Sequence, residues 1–192
     1  MLMFDEAAHT YTLDGVRLPS VTEITRFCAY DYQSARPWLA QEAAKRGTAV
    51  HEACALIDYG EEPEETPEIA GYLKAYRRFL ADYKPDWQLI EHPIGSLSLG
   101  FAGTLDRYGS VSGNPTLLDL KTGQLHEAAL AAQLTAYARL LPYGAPTVWP
   151  RLYGLKLSKD GTYLLREIPP RPALLSACMV LHNATEGKKC NE

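Results

Sequence analysis

Two neighbouring runs, Gly103-Thr104-Leu105-Asp106-Arg107-Tyr108 and Thr116-Leu117-Leu118-Asp119-Leu120-Lys121-Thr122-Gly123, decide how the rest of the chain is read. Each sets one carboxylate, Asp106 or Asp119, inside an apolar, β-prone stretch. Residues two apart on a strand share a face. Asp119 and Lys121 therefore project together, while Leu118 and Leu120 point the other way, into a core. An acid and an ammonium side by side on a buried strand are costly to desolvate without a partner. A divalent cation with a phosphate is such a partner. A buried ion pair at a sheet edge is the alternative, and on this stretch alone the two readings stand level.

The acid-x-Lys spelling has internal controls. It recurs at Asp82-Tyr83-Lys84 and Glu186-Gly187-Lys188. The first closes a helical pattern, where positions i and i+2 do not face each other. The second lies in a polar tail. Only the copy at Asp119 sits in a strand-like run with a second carboxylate upstream in another.

Working outward, the 192 residues have the length of one domain with a substantial core, expected over 1–185 with a disordered polar tail at 186–192. An apolar fraction of 46% and a charged fraction of 22% are ordinary for a globular protein. No run approaches the ~20 apolar residues of a membrane span. The start, Met1 to Glu6, lacks a basic region followed by an apolar one, so no secretory signal is expected. A net charge of −4 does not advertise a nucleic-acid partner, nor exclude one. Cys28, Cys54, Cys178 and Cys190 are scattered and form no Cys-x-x-Cys, so a zinc ribbon has no support. An intracellular, reduced, cytoplasmic protein is the simplest expectation.

Thr10–Leu13 and Val16–Leu18 flank Asp14-Gly15, the preferred two-residue hairpin turn. Ser20 and Glu23 spell a capping box for a helix to about Phe27. A helix is expected from Ser34 to about Tyr59, with Gly47 and His51 one turn apart on one face. Gly60–Pro67 reads as an acidic loop, and Thr66 as the cap of a helix from about Glu68 to Tyr83. Strands follow at Trp87–Ile94, Leu97–Tyr108 and Thr116–Lys121. An alanine-rich helix at Glu127–Leu141 puts Gln133 and Tyr137 on one face. A hairpin across Lys159-Asp160-Gly161 and a helix from Pro172 to about Asn183 close the chain.

Arg46-Gly47-Thr48-Ala49-Val50-His51, Gly103-Thr104-Leu105-Asp106, Leu118-Asp119-Leu120-Lys121-Thr122-Gly123 and Gln133-Leu134-Thr135-Ala136-Tyr137 occur in that order, each on the expected element type. Together they resemble the PD-(D/E)XK nuclease superfamily, in its RecB-like exonuclease branch, over about half of the chain. The opening His9–Gly15 and Leu18–Thr22 are similar to stand-alone RecB-like proteins of bacteriophages and to the mitochondrial genome maintenance exonuclease.

The resemblance implies an α/β, restriction-endonuclease-like fold: a central mixed β-sheet flanked by helices. It implies Mg²⁺ or Mn²⁺ held by His51, Asp106, Asp119 and the backbone carbonyl of Leu120, with Lys121 completing the catalytic set of Asp106 and Asp119. Gln133 and Tyr137 would orient DNA, and Glu91 would be an accessory acid or else a surface glutamate. Arg36, Lys45 and Arg46 are candidate phosphate contacts, and Trp38 and Tyr137 candidate stacking surfaces, Trp38 being equally suited to the core. With only Cys178 and Cys190 after the motifs, no iron–sulfur cluster is expected. The implied activity is metal-dependent hydrolysis of DNA, on single strands or strand ends, in phage or bacterial recombination, repair or replication. Two rivals are a non-catalytic DNA-binding relative and a hydrolase using Asp106 and Asp119 as a paired acid and base.

Overall fold

The computed structural model describes residues 1–5, 8, 10–28, 37–141 and 149–189. Its order is β1 (Leu2–Asp5), β2 (Thr10–Leu13), β3 (Val16–Leu18), α1 (Val21–Thr25), a 3₁₀ turn (Arg26–Cys28), α2 (Pro37–Asp58), α3 (Ala70–Tyr83), β4 (Asp86–Ser96), β5 (Phe101–Val111), β6 (Asn114–Lys121), α4 (Glu127–Leu140), β7 (Arg151–Leu157), β8 (Tyr163–Glu167) and α5 (Pro172–Lys189). The main sheet has the order β4-β5-β6-β7-β8. Only β6 and β7 are parallel; the other three pairs are antiparallel. A parallel pair needs a crossover connection, and α4 supplies it. The α/β expectation of a central mixed sheet flanked by helices is borne out.

Two apolar clusters serve the two faces of this sheet. One joins Leu105, Leu117 and Leu152 to α1, α4 and α5 through Val21, Leu130, Leu134, Tyr137 and Leu175. The other joins Leu118, Leu120, Leu155 and Leu157 to α2 and α3 through Val50, Cys54, Leu73, Tyr76 and Phe79. The strict alternation of Leu117 and Leu118 between the two clusters is the period-two signal of a strand covered on both faces.

A three-stranded meander, β1-β2-β3, sits against the end of β5. Ala102 N donates to Pro19 O at 3.1 Å, and the Tyr11 and Thr104 hydroxyls are 2.9 Å apart. Asp14 and Gly15 have φ of 49° and 82°, as the two-residue turn requires. The Ser20–Glu23 capping box forms in both directions, at 3.0 Å and 2.6 Å.

Four boundaries differ from the sequence reading. The β4–β5 turn lies at 97–100 rather than at Gly95-Ser96, because Gly100 adopts φ 77° and its N–H reaches Ser96 O at 2.8 Å. The β5–β6 connection shrinks to Ser112-Gly113, at φ 50° and 75°, so β5 runs on to Val111. Thr66 does not cap α3 through its side chain. Its carbonyl accepts from Ile69 and Ala70 in a preceding turn, and the helix starts at Ala70. The last helix continues to Lys189, past Asn183, with no proline in between to stop it. The expected start of the second helix at Ser34 lies outside the described residues.

Cys28 and Cys178, far apart in sequence, bring their sulfurs to 2.8 Å. Burial, aided by the Cys28 contact, pushes the Cys178 thiol up to about 12.

Candidate metal centre

Three elements converge on one point. His51 comes from α2, Glu91 from β4 and Asp106 from β5, and one ligand atom of each lies within 4.8 Å of the others. His51 Nδ1 is 3.3 Å from Glu91 Oε1 and 3.7 Å from Asp106 Oδ2. His51 Nε2 lies 3.1 Å from the carbonyl oxygen of Leu120. Asp106 Oδ2 in turn accepts the Leu120 N–H at 2.7 Å. Four of the expected metal-site groups, counting the Leu120 carbonyl and the accessory Glu91, are thus gathered by direct contacts.

Asp119 stands beside this cluster, 2% exposed. Its Oδ1 accepts from Gln133 Nε2 at 2.8 Å. Its Oδ2 lies 2.5 Å from Lys121 Nζ but receives no aligned hydrogen bond. A buried carboxylate oxygen held only by an ion pair retains capacity for another cation. Burial, with Asp106 adding to it and Lys121 opposing, raises the Asp119 carboxyl to about 6.

The charges explain one another. Burial disfavours a charged His51, yet Asp106, Glu91 and Asp119 outweigh it and raise the imidazole to about 9. Burial likewise opposes the Glu91 carboxylate, and His51 and Arg107 overcome it, so Glu91 is held below its ordinary range. Lys121 is raised: burial lowers it, and Asp119 and Asp106 raise it by more. Without a metal, then, protonated His51 and Lys121 neutralise the acids. A hard cation is an alternative to those protons. Carboxylate and carbonyl oxygens with one imidazole suit Mg²⁺ or Mn²⁺, so the residues present fit such an ion.

Glu91 reaches the site by an unusual backbone. It has φ 44°, a left-handed conformation rarely adopted by a residue with a side chain, least of all in a strand. From sequence, Glu91 is either an accessory acid or a surface glutamate. Its carboxylate is instead hydrogen-bonded by Arg107 Nη1 at 2.8 Å. Arg107 is fully buried and was not singled out from sequence. The signal was an arginine in the β-prone run directly after Asp106, which demands acidic partners wherever it is buried.

Tyr137 is 4% exposed and belongs to the core beneath α4. It therefore offers no stacking face, which corrects that part of the sequence reading: an aromatic on the inner face of an alanine-rich helix is drawn into the core. Gly103 explains its place. A methyl group added there would lie 2.8 Å from Tyr137 Cε1 and 3.0 Å from its hydroxyl. The glycine lets the ring lie against β5, one helical turn from Gln133. Gly103→Ala is expected to destabilise the protein by about 1–3 kcal/mol, the usual range for overpacking. A urea midpoint unchanged from wild type would show the ring is free to move.

Gly47 is less constrained: a Cβ there would meet Thr122 Oγ1 at an ordinary 3.7 Å. Lys45 and Arg46 precede His51 by six and five residues on α2. They line a groove of about 850 Å³ together with Glu42, Glu52, Glu64 and Glu68. Trp38 is 53% exposed. Arg36 lies outside the described residues.

No protein-family model matches this sequence, and no curated protein sequence matches it. Among solved structures, an alkaline exonuclease (LHK-Exo) from Laribacter hongkongensis is similar, with 12% identity and a TM-score of 0.44, over 88% of this chain and 84% of that one. The complex of LHK-Exo with dAMP matches with 12% identity and a TM-score of 0.45, over 89% and 87%. No helix among the described residues is long and apolar enough to cross a membrane.

Proposed function

We propose that this protein is a divalent-metal-dependent nuclease that hydrolyses phosphodiester bonds in DNA. The observation that carries the reading is the convergence of His51, Glu91 and Asp106 within 4.8 Å, beside the buried Asp119 and its partner Lys121. When bound, Mg²⁺ or Mn²⁺ supplies charge neutralisation at a scissile phosphate and acidifies a bound water. His51, Glu91, Asp106, Asp119 and the Leu120 carbonyl are the groups proposed to hold it. Lys121, whose side chain is 35% exposed, offers an ammonium to the negative charge that grows on the phosphate during attack. Asp119 fixes that ammonium, and Gln133 fixes Asp119.

The finer reading rests on the motif resemblance alone. It is an exonuclease of the RecB-like branch, acting on single strands or strand ends, in phage or bacterial recombination, repair or replication. Gln133 is proposed to orient the strand near the cleaved bond, with Tyr137 holding it from beneath. Lys45 and Arg46 are proposed contacts for the strand farther from that bond. The test is degradation of 5′- and 3′-labelled single-stranded DNA with Mg²⁺, Mn²⁺ or EDTA. Cleavage only with metal supports the reading, and the surviving label gives polarity. No cleavage of single- or double-stranded DNA by folded protein sinks it in favour of a non-catalytic DNA-binding protein. Cleavage that survives EDTA would favour a paired acid and base instead.

Metal should also act on stability, with a definite pH dependence. The folded-state values of Asp119, about 6, and His51, about 9, are both raised. A raised group contributes stability below its unfolded value and loses it as pH rises through the folded one. The metal-free protein therefore loses Asp119's share between the ordinary carboxylate range and about pH 6, and His51's share from about pH 6.5 to 9. A metal ligand must shed its proton, so Mn²⁺ binding competes with that proton below about pH 9. The rise in Tm on adding Mn²⁺ is expected to be larger at about pH 8.5 than at about pH 6. A shift that is equal at both, or larger at the lower pH, would exclude His51 from the ligand set.

A further inference from the structure

Behind the metal site lies a chain of polar groups, three of them buried, that ends on the half-buried Glu91. Tyr76 OH donates to Asp58 Oδ2 at 2.7 Å. The same oxygen accepts Arg107 Nε at 2.6 Å. Arg107 Nη1 then donates at 2.8 Å both to Glu91 Oε1 and to the backbone carbonyl of Asp106. Tyr76 and Arg107 are 0% exposed, and the Asp58 side chain is 2% exposed. A charge so deeply buried is tolerated only where partners of good geometry hold it, as these do.

Taking the metal reading above as given, we propose that Arg107, anchored from behind by Asp58 and Tyr76, is a positioning residue that sets the site's affinity for a divalent cation by holding the Glu91 carboxylate in place. Three features support this. Glu91 sits at φ 44°, a conformation that persists only where surrounding contacts over-determine it, and Arg107 is the buried contact on its carboxylate. The second is that one guanidinium nitrogen grips two of the three clustered groups, Glu91 by its side chain and Asp106 by its carbonyl. The third concerns the remaining group. Asp58 ends α2, seven residues after His51, so the two lie two turns apart on one helical face. Helix α2 thus carries both the imidazole and the anchor of Arg107 as one rigid unit. The relay ties His51, Glu91 and Asp106 to a common frame.

None of Tyr76, Asp58 or Arg107 is exposed to touch a metal or a phosphate, so their effect passes through the groups they hold, and the Glu91 carboxylate is the one side chain of the cluster that Arg107 grips directly. Groups that orient ligands in this way typically change metal affinity by about 10–100-fold when removed. The test is Mn²⁺ titration of the full chain by isothermal calorimetry, with folding checked by circular dichroism. Asp58→Asn is expected to weaken Mn²⁺ binding by about 10–100-fold. Tyr76→Phe, which removes one hydroxyl and keeps the ring, should weaken it by a smaller factor of about 3–10, and it carries the test should Asp58→Asn fail to fold.

Two further variants separate positioning from general loosening. Phe79→Leu, in the same apolar layer but with no polar contact to the relay, should bind Mn²⁺ as wild type does. On a Glu91→Gln background, Asp58→Asn should cause little additional loss, because residues acting through one group are not additive. The proposal is overturned if wild type binds Mn²⁺ and the relay variants bind it within about twofold. It is equally overturned if Phe79→Leu loses as much, or if the losses add fully. Wild type that does not bind Mn²⁺ at all would overturn the metal reading itself, a different and recognisable result.

Discussion

On the proposed nuclease function, Asp119→Asn is expected to yield a folded protein whose cleavage of DNA is largely lost. The asparagine keeps an Oδ1 to accept the Gln133 amide, now at 2.8 Å from the aspartate, and it keeps the volume. What disappears is the charge. Burial raises the Asp119 carboxyl to about 6, so at higher pH the ionised form is held against its surroundings. Removing it relieves that penalty. The Lys121 ammonium left behind is 35% exposed and can turn to water. Thermal stability at about pH 8 should therefore equal or exceed wild type. Cleavage of labelled DNA should fall by about 10²–10³-fold or more, as when one preorganised electrostatic group is removed from an active site. A variant that is stable and within tenfold of wild type in activity would take Asp119 out of the chemistry. A variant that melts early would make it a structural acid. Gain in stability with loss of activity is the signature of a group retained for function.

The second large effect is on folding. Arg107→Met is expected to destabilise the protein by about 3–5 kcal/mol, the usual result of removing one partner from a buried ion pair. Methionine fills the space of the aliphatic stem, so the loss is not mainly a cavity. What remains is the Asp58 carboxylate, almost wholly buried and stripped of its cation, and the Glu91 carboxylate, left with His51 alone. Burial opposes the charge on Arg107, and the surrounding Asp58, Glu91 and Asp106 favour it by more, so the guanidinium is held above its ordinary value. Arg107→Lys should recover little. A single ammonium cannot span Asp58, Glu91 and the Asp106 carbonyl at once, whereas the planar guanidinium does. Urea unfolding of the three proteins measures this directly. A loss below about 1 kcal/mol for Arg107→Met would mean that the acids find other partners or take up protons.

The site was partly legible in the chain because strand and helix periods are short-range facts. Asp119 and Lys121 had to share a face two residues apart, and Gln133 and Tyr137 had to share one four apart. Asp14-Gly15 and the Ser20–Glu23 box fixed their turn and cap through contacts within four residues. The displaced β4–β5 turn shows the limit. Gly95 and Gly100 both offered a glycine, and the pairing of Ala102 with the N-terminal meander favours the later one. Tyr137 shows another limit: as a residue type it suits stacking on a base equally well as filling a core, and the space over Gly103 chose the core.

What the sequence by itself determined is therefore the set of elements and the groups each would present: a two-face-covered strand with Asp119 and Lys121, a helix with His51, and a helix with Gln133 and Tyr137. What only the tertiary structure decided is which of those groups meet. Glu91 turned from a glutamate of uncertain place into a member of the cluster through a left-handed backbone and a buried arginine. Arg107 found Asp58 and Tyr76, 49 residues away in the first case. Local periodicity cannot see such partners. A buried charge must be neutralised by whatever the folded chain brings within about 3 Å, and that distance is set by how the helices lie on the sheet.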